Sequence, residues 1–133
     1  LGKADEAMSL QDVLEELRKS YLNALPAKAD AIQKLFQERR YSEVETEFHK
    51  LKGTGKTYGI PEVSQIGEVA ERLVEHGSTS AEESVPAAIK ILNRIAATRN
   101  SGKALDLEND ADYLYLAELA REIHETTAGR SKR

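Results

Sequence analysis

Phe48-His49-Lys50-Leu51-Lys52-Gly53-Thr54-Gly55-Lys56-Thr57-Tyr58-Gly59 is the stretch on which the reading of this chain turns. At about 100° per residue, His49, Lys52, Gly53 and Lys56 fall within roughly a quarter-turn of one another on a helix. Val44, Phe48, Leu51, Gly55 and Tyr58 form a second stripe, roughly a third of a turn or more from His49. The second stripe reads as a core face. The first reads as a solvent face carrying an imidazole, two cations and one position with no side chain. A glycine in a helix interior costs about 1 kcal/mol relative to alanine, so Gly53 calls for a reason. Close approach of another molecule supplies one.

Helical periodicity extends outward from this stretch. Ser9 reads as an N-cap before Leu10 to Leu25, where Leu10, Val13, Leu14, Leu17, Tyr21 and Leu25 recur at helical spacing. Pro26 is expected to open a second helix running to about Glu38, with Ala31, Ile32, Leu35 and Phe36 inward. Arg39-Arg40-Tyr41 reads as a short turn, and Ser42-Glu43-Val44-Glu45 as a capping box that opens the His49 helix. After the stop at Gly59, Pro61 begins a helix carrying Val63, Ile66, Val69, Ala70 and Leu73 to about His76. Gly77-Ser78-Thr79 reads as a loop and Ser80-Ala81-Glu82-Glu83 as a second capping box. The helix that follows carries Val85, Ala88, Ile89, Leu92, Ile95 and Ala96, with Pro86 in its first turns. Residues 100–110 read as a polar loop. Ala111 to Thr127 reads as one more amphipathic helix through Tyr113, Leu116, Ala117, Ala120 and Ile123, and residues 129–133 as a disordered tail.

Composition points the same way. At 133 residues the chain has the length of one domain, enough for a real core. Phe, Trp and Tyr make up only 5%, and helix-favouring residues dominate. The expected fold class is all-α: an antiparallel up-down four-helix bundle, because short connections favour antiparallel neighbours, with flanking N-terminal and C-terminal helices. There is no cysteine, which removes disulfides, thiolate metal sites and cysteine catalysis together and fits a reducing cytoplasm. No apolar run approaches a membrane span, and no stretch has a signal-peptide profile. The start on Leu1-Gly2 is expected of an excised domain or a tag remnant. Net charge is −4 with both signs mixed, which argues against nucleic acid as the main partner.

His49-Lys50-Leu51-Lys52-Gly53, five residues to Gly59, then Val63, Ile66, Gly67 and Glu71 resemble the signature of histidine-containing phosphotransfer (HPt) domains. That signature runs His-x-Leu-Lys-Gly, five residues, glycine, then an apolar stretch closing on Leu-Glu. Thr54-Gly55 stands where Ser-Ala is usual and Ala70 where leucine is usual; both keep the size and polarity class. The resemblance implies a phosphotransfer domain over residues 1–100, including an N-terminal capping helix, with residues 101–133 beyond the usual boundary. It implies a phosphocarrier in a two-component multistep phosphorelay, with His49 accepting a phosphoryl group from a receiver-domain aspartate and passing it to a response regulator. A hybrid sensor kinase would lie upstream; in a chemotaxis-type variant the donor is a kinase domain of the same parent chain.

The chemistry of the residues agrees with that role. A neutral imidazole nitrogen can attack phosphorus and form a labile phosphoramidate. Lys52 and Lys56 offset charge on the transferring group and attract the acidic pocket of a receiver, where the Mg²⁺ of the reaction is expected. Glu45, one turn before His49, can orient the second ring nitrogen, although a solvent-face glutamate is more simply solvated. No cofactor or metal is expected on the chain itself. With no glycine-rich nucleotide lid or strand-rich region, it reads as a stoichiometric carrier rather than an enzyme, monomeric and away from membranes.

Blander readings stand beside these. A histidine on an amphipathic helix is most often a surface residue, and only the lysine-glycine spacing argues otherwise. Gly53-Thr54-Gly55-Lys56-Thr57 imitates the end of a phosphate-binding loop, but Lys50 stands where its first glycine belongs and a helix precedes it. His76 and His124 have no partner at metal-ligand spacing. The competing function is a helical docking or scaffold module that binds a partner through the His49 surface without phosphoryl transfer. A DNA-associated helical protein is disfavoured by the net charge.

Overall fold

In the computed structural model, residues 9–131 are described, with side chains to residue 125. The described chain is all-helical: α1 (Leu10–Gln37), α2 (Tyr41–Thr57), α3 (Pro61–His76), α4 (Ser78–Asn100) and α5 (Ala111–Ser131), with a 3-10 turn at Leu107–Asn109. Helix α2 packs on α3, α3 on α4, and α1 against both α4 and α2, while α5 lies on α3 and α4. Their shared core includes Leu25, Ala29 and Ile32 of α1, Val44, Phe48 and Leu51 of α2, Val63, Ile66 and Leu73 of α3, and Ile91, Leu92 and Ile95 of α4.

Three expected boundaries move, each for a packing reason. Pro26 does not divide two helices; it lies inside a single 28-residue α1. A proline there removes one backbone hydrogen bond and costs about 3 kcal/mol, yet Leu22, Leu25, Ala29 and Ile32 form one uninterrupted buried stripe across it. Burial of four such side chains, at roughly 1.5–3 kcal/mol for a large one, outweighs the break. The expected capping box at Ser42 is absent. Helix α2 begins at Tyr41 with no side-chain cap, because Tyr41 packs on Phe36 at a centroid distance of 5.9 Å and draws the chain into the helix early. Helix α4 likewise begins at Ser78 after Gly77, with no side-chain cap. Ser78 and Thr79 are therefore helical rather than loop, and Pro86 is an interior residue.

The first half of α1 differs most from expectation. Leu10, Val13, Leu14 and Leu17 recur at helical spacing but remain exposed, Leu10 at 74%, so this half overhangs the core instead of capping it. From Tyr21 onward α1 is tied in: the Tyr21 hydroxyl meets Thr54 Oγ1 at 2.8 Å, and its ring stacks on Tyr58 at 4.9 Å. The turn after α2 takes Gly59 at φ +77°, a left-handed conformation that glycine adopts without steric cost.

Beyond α4, the polar loop is anchored rather than free. Leu107 is buried in the 3-10 turn. Arg99 of α4 donates to both carboxylate oxygens of buried Glu62, at 2.7 and 2.8 Å. Asp110 accepts from the Tyr113 N–H at 3.0 Å, capping α5, and also accepts from Arg94 of α4. Helix α5 then buries Leu116 and Ala120 against α3 and α4. It continues through Ser131, so residues 129–131 of the expected disordered tail are helical; residues 132–133 lie outside the described part.

Candidate functional site

The core stripe of α2 fixes which way its other face points. Val44, Phe48, Leu51 and Gly55 are buried, so His49 faces solvent with 69% of its side chain exposed. Lys52, Gly53 and Lys56 share that face, and with His49 they line an open hollow completed by Ser64, Gln65 and Glu68 of α3. Three lining residues come from a helix that the spacing on α2 alone could not place. Gly53 meets open space: a Cβ built there would have no heavy atom within 4 Å. Internal packing therefore does not require this glycine.

The carboxylate that reaches the imidazole is Glu71, not Glu45. Glu71 Oε2 lies 2.5 Å from His49 Nδ1, while its other oxygen is 3.9 Å from Lys52 Nζ. Only 18% of the Glu71 side chain is exposed, so it is held by α3 rather than free in solvent. Glu45 borders a second hollow with Thr46, His49, Glu71 and Glu75 but makes no hydrogen bond to the ring among the described residues. A carboxylate accepts and does not donate, so in the neutral ring the hydrogen sits on Nδ1 and the lone pair on Nε2. No hydrogen-bond partner holds Nε2 among the described residues.

This juxtaposition depends on how closely α3 approaches α2. A Cβ at Gly67 would lie 2.7 Å from the Lys52 backbone nitrogen and 2.9 Å from the Phe48 carbonyl oxygen. One at Gly55 would lie 2.5 Å from the Ser64 nitrogen. The sequence carried Glu71 as the close of a motif, and its spacing from Gly67 was the available signal. Nothing within α2 could announce it.

The cations around the site are not equivalent. Lys50 donates to Glu47 Oε2 at 3.0 Å and Lys28 of α1 to Glu47 Oε1 at 3.2 Å, which draws Lys50 away from the hollow. Partial burial acts to raise the Glu47 carboxyl, but the hydrogen bonds from Lys50 and Lys28 outweigh it and hold the group below its ordinary value. Lys56 has no carboxylate within ion-pair distance among the described residues. The Gly53–Thr57 segment is helical, unlike a phosphate-binding loop. His76 and His124, far apart in sequence, border one shallow hollow with Arg72, Glu75 and Ile123. Among the described residues no three histidine, aspartate or glutamate side chains are grouped to hold a metal ion, and no described helix is long and apolar enough to cross a membrane.

An imidazole with one nitrogen bonded to a carboxylate, the other free and a bare helix turn beside it is equipped to exchange a group with a second protein. No curated protein and no solved structure is matched by the chain. Against families, residues 9–101 match the Hpt domain; that span takes in α1 to α4 and stops before α5. The chain belongs to the Hpt domain family.

Proposed function

We propose that the chain is a phosphocarrier in a two-component multistep phosphorelay and that His49 is its phosphoacceptor. Residues 1–100 form the phosphotransfer domain, α1 to α4 being its antiparallel four-helix bundle, and residues 101–133 add a helix to it. The observation that carries this reading is the His49–Glu71 pair, 2.5 Å apart, on an otherwise open face. With Nδ1–H given to Glu71, Nε2 attacks the phosphorus of a receiver aspartyl phosphate. The nitrogen–phosphorus bond forms as the phosphorus–oxygen bond breaks, and the aspartate leaves with that electron pair as a carboxylate. The ring keeps its Nδ1 proton, and Glu71 balances the positive charge that develops on it. Reversal onto a second receiver completes the relay.

Lys52 and Lys56 offset phosphoryl charge, and Gly53 leaves room for the receiver. The Mg²⁺ belongs to the receiver, and the chain contributes no cofactor of its own. It acts as a monomer in the cytoplasm, between a hybrid histidine kinase and a response regulator, and turns over no substrate alone. The test is incubation with a phosphorylated receiver. Acid-labile, base-stable label should appear on the wild type and vanish in His49→Gln, an exposed substitution that leaves the fold intact. Label at His76 or His124, or receiver binding with no label at all, would overturn the assignment; the latter outcome would point to a docking module.

A further inference from the structure

Gly67 lies four residues before Glu71 on α3, so the two share a helix face one turn apart. Its neighbours across the helix pair are the Phe48 carbonyl oxygen and the Lys52 backbone nitrogen, which flank His49 in sequence. We propose that Gly67 is a positioning residue: its missing side chain sets the distance between α2 and α3 at which Glu71 reaches Nδ1 of His49. The proposal rests on the phosphocarrier reading of His49 and adds what holds the nucleophile in its reactive tautomer.

The distances decide the matter. A Cβ at Gly67 would stand 2.7 Å from the Lys52 nitrogen and 2.9 Å from the Phe48 oxygen. Ordinary non-bonded contacts begin near about 3.5 Å, so even alanine requires α3 to retreat by roughly 0.8 Å. Both opposing atoms are backbone in mid-helix and have no rotamer by which to yield. Carried one turn along, the same retreat stretches the 2.5 Å bond between Glu71 and His49 to about 3.3 Å, just past the range of a good N–H···O bond. Gly53, on the open side of α2, has no such neighbours. Gly55 has them near the α2–α3 turn, against Ser64 and Ile60, where spacing bears less on the ring.

A neutral histidine free in water favours hydrogen on Nε2. The Nδ1–H form of His49 is therefore a direct reading of Glu71. Ring ¹⁵N chemical shifts of selectively labelled protein, taken where His49 is neutral, should show Nδ1–H in the wild type and a shift toward Nε2–H in Gly67→Ala. Phosphoryl uptake from a phosphorylated receiver should fall roughly 10- to 100-fold. In a Glu71→Ala background, Gly67→Ala should add no further change, because its effect passes through Glu71. Glu71→Asp shortens the carboxylate's reach without touching the helix contact, and should reproduce the tautomer shift even where Gly67→Ala does not fold. A folded Gly67→Ala with unchanged tautomer, an added loss in the Glu71→Ala background, or a Glu71→Asp that keeps Nδ1–H would overturn the proposal. A wild type with Nδ1–H that takes up no phosphoryl group, with the variants behaving as described, would count against the phosphocarrier reading and for the positioning.

Discussion

Gly53→Leu separates stability from function within one residue. The position is interior to α2, and a Cβ there meets nothing within 4 Å. Leucine therefore gains helix propensity over glycine, about 0.8 kcal/mol, with no packing penalty to set against it. Unfolding entropy of about 2.1 cal/mol/K per residue over 133 residues converts that gain into a rise in melting temperature of about 3 °C. Helical side chains lean toward the N-terminus, so the new leucine leans over the turn that bears His49. A receiver displaced there by even about 1 Å should transfer roughly 10²-fold more slowly. Thermal melting by circular dichroism and single-turnover uptake from a phosphorylated receiver read the two effects on one sample. Transfer within about twofold of wild type in a stabilised variant would place Gly53 outside the docking face. A lowered melting temperature would mean that the space above it is not open.

Leu116→Ala removes a fully buried α5 side chain and should cost about 2–5 kcal/mol with phosphoryl uptake unchanged; parallel loss of uptake would show that α5 takes part in the site. Lys56→Glu should slow association with an acidic receiver, and the effect should shrink as salt rises past about 0.15 M. A salt-independent effect would remove steering as its cause. For Glu47, the folded carboxyl is depressed below 4.5, so its contribution is complete above that pH and is lost as pH falls through the folded value. Lys28→Met should therefore unfold at lower denaturant than wild type near neutrality, by about 0.5–1 kcal/mol, and the gap should narrow on acidification below pH 4.5. A gap that stays constant or widens in acid would refute the linkage.

Within α2 and α3 the sequence was an accurate guide, because one buried stripe per helix dictates everything on the opposite side. The solvent exposure of His49, Lys52, Gly53 and Lys56 follows from the burial of Val44, Phe48, Leu51 and Gly55. The Pro61 helix start and the α5 stripe at Leu116 and Ala120 were legible for the same reason. What escaped depends on tertiary contact. Local chemistry at Pro26 and Ser42 argues for boundaries that packing across α1 and at Tyr41 overrides. Periodicity at Leu10 to Leu17 marks an apolar face without saying whether anything covers it. Glu45 is the only carboxylate that nearness along α2 offers to the ring, and solvation is its simpler reading; Glu71 is the partner because two glycines bring α3 against α2.

Asp110 ties the start of α5 to α4. Its carboxylate caps α5 through the Tyr113 N–H while paired with Arg94 of α4. The first turn is the costly step in starting a helix, and here the group that eases it is held by a helix that precedes it in the chain. Since Leu116 and Ala120 also need α3 and α4 to pack upon, α5 has neither a fixed start nor a surface until those helices are in place. Helix α5 thus draws both its first-turn cap and its packing surface from elements that come before it in the chain. The added helix is an outer layer, laid on α3 and α4 rather than woven between α2 and α3.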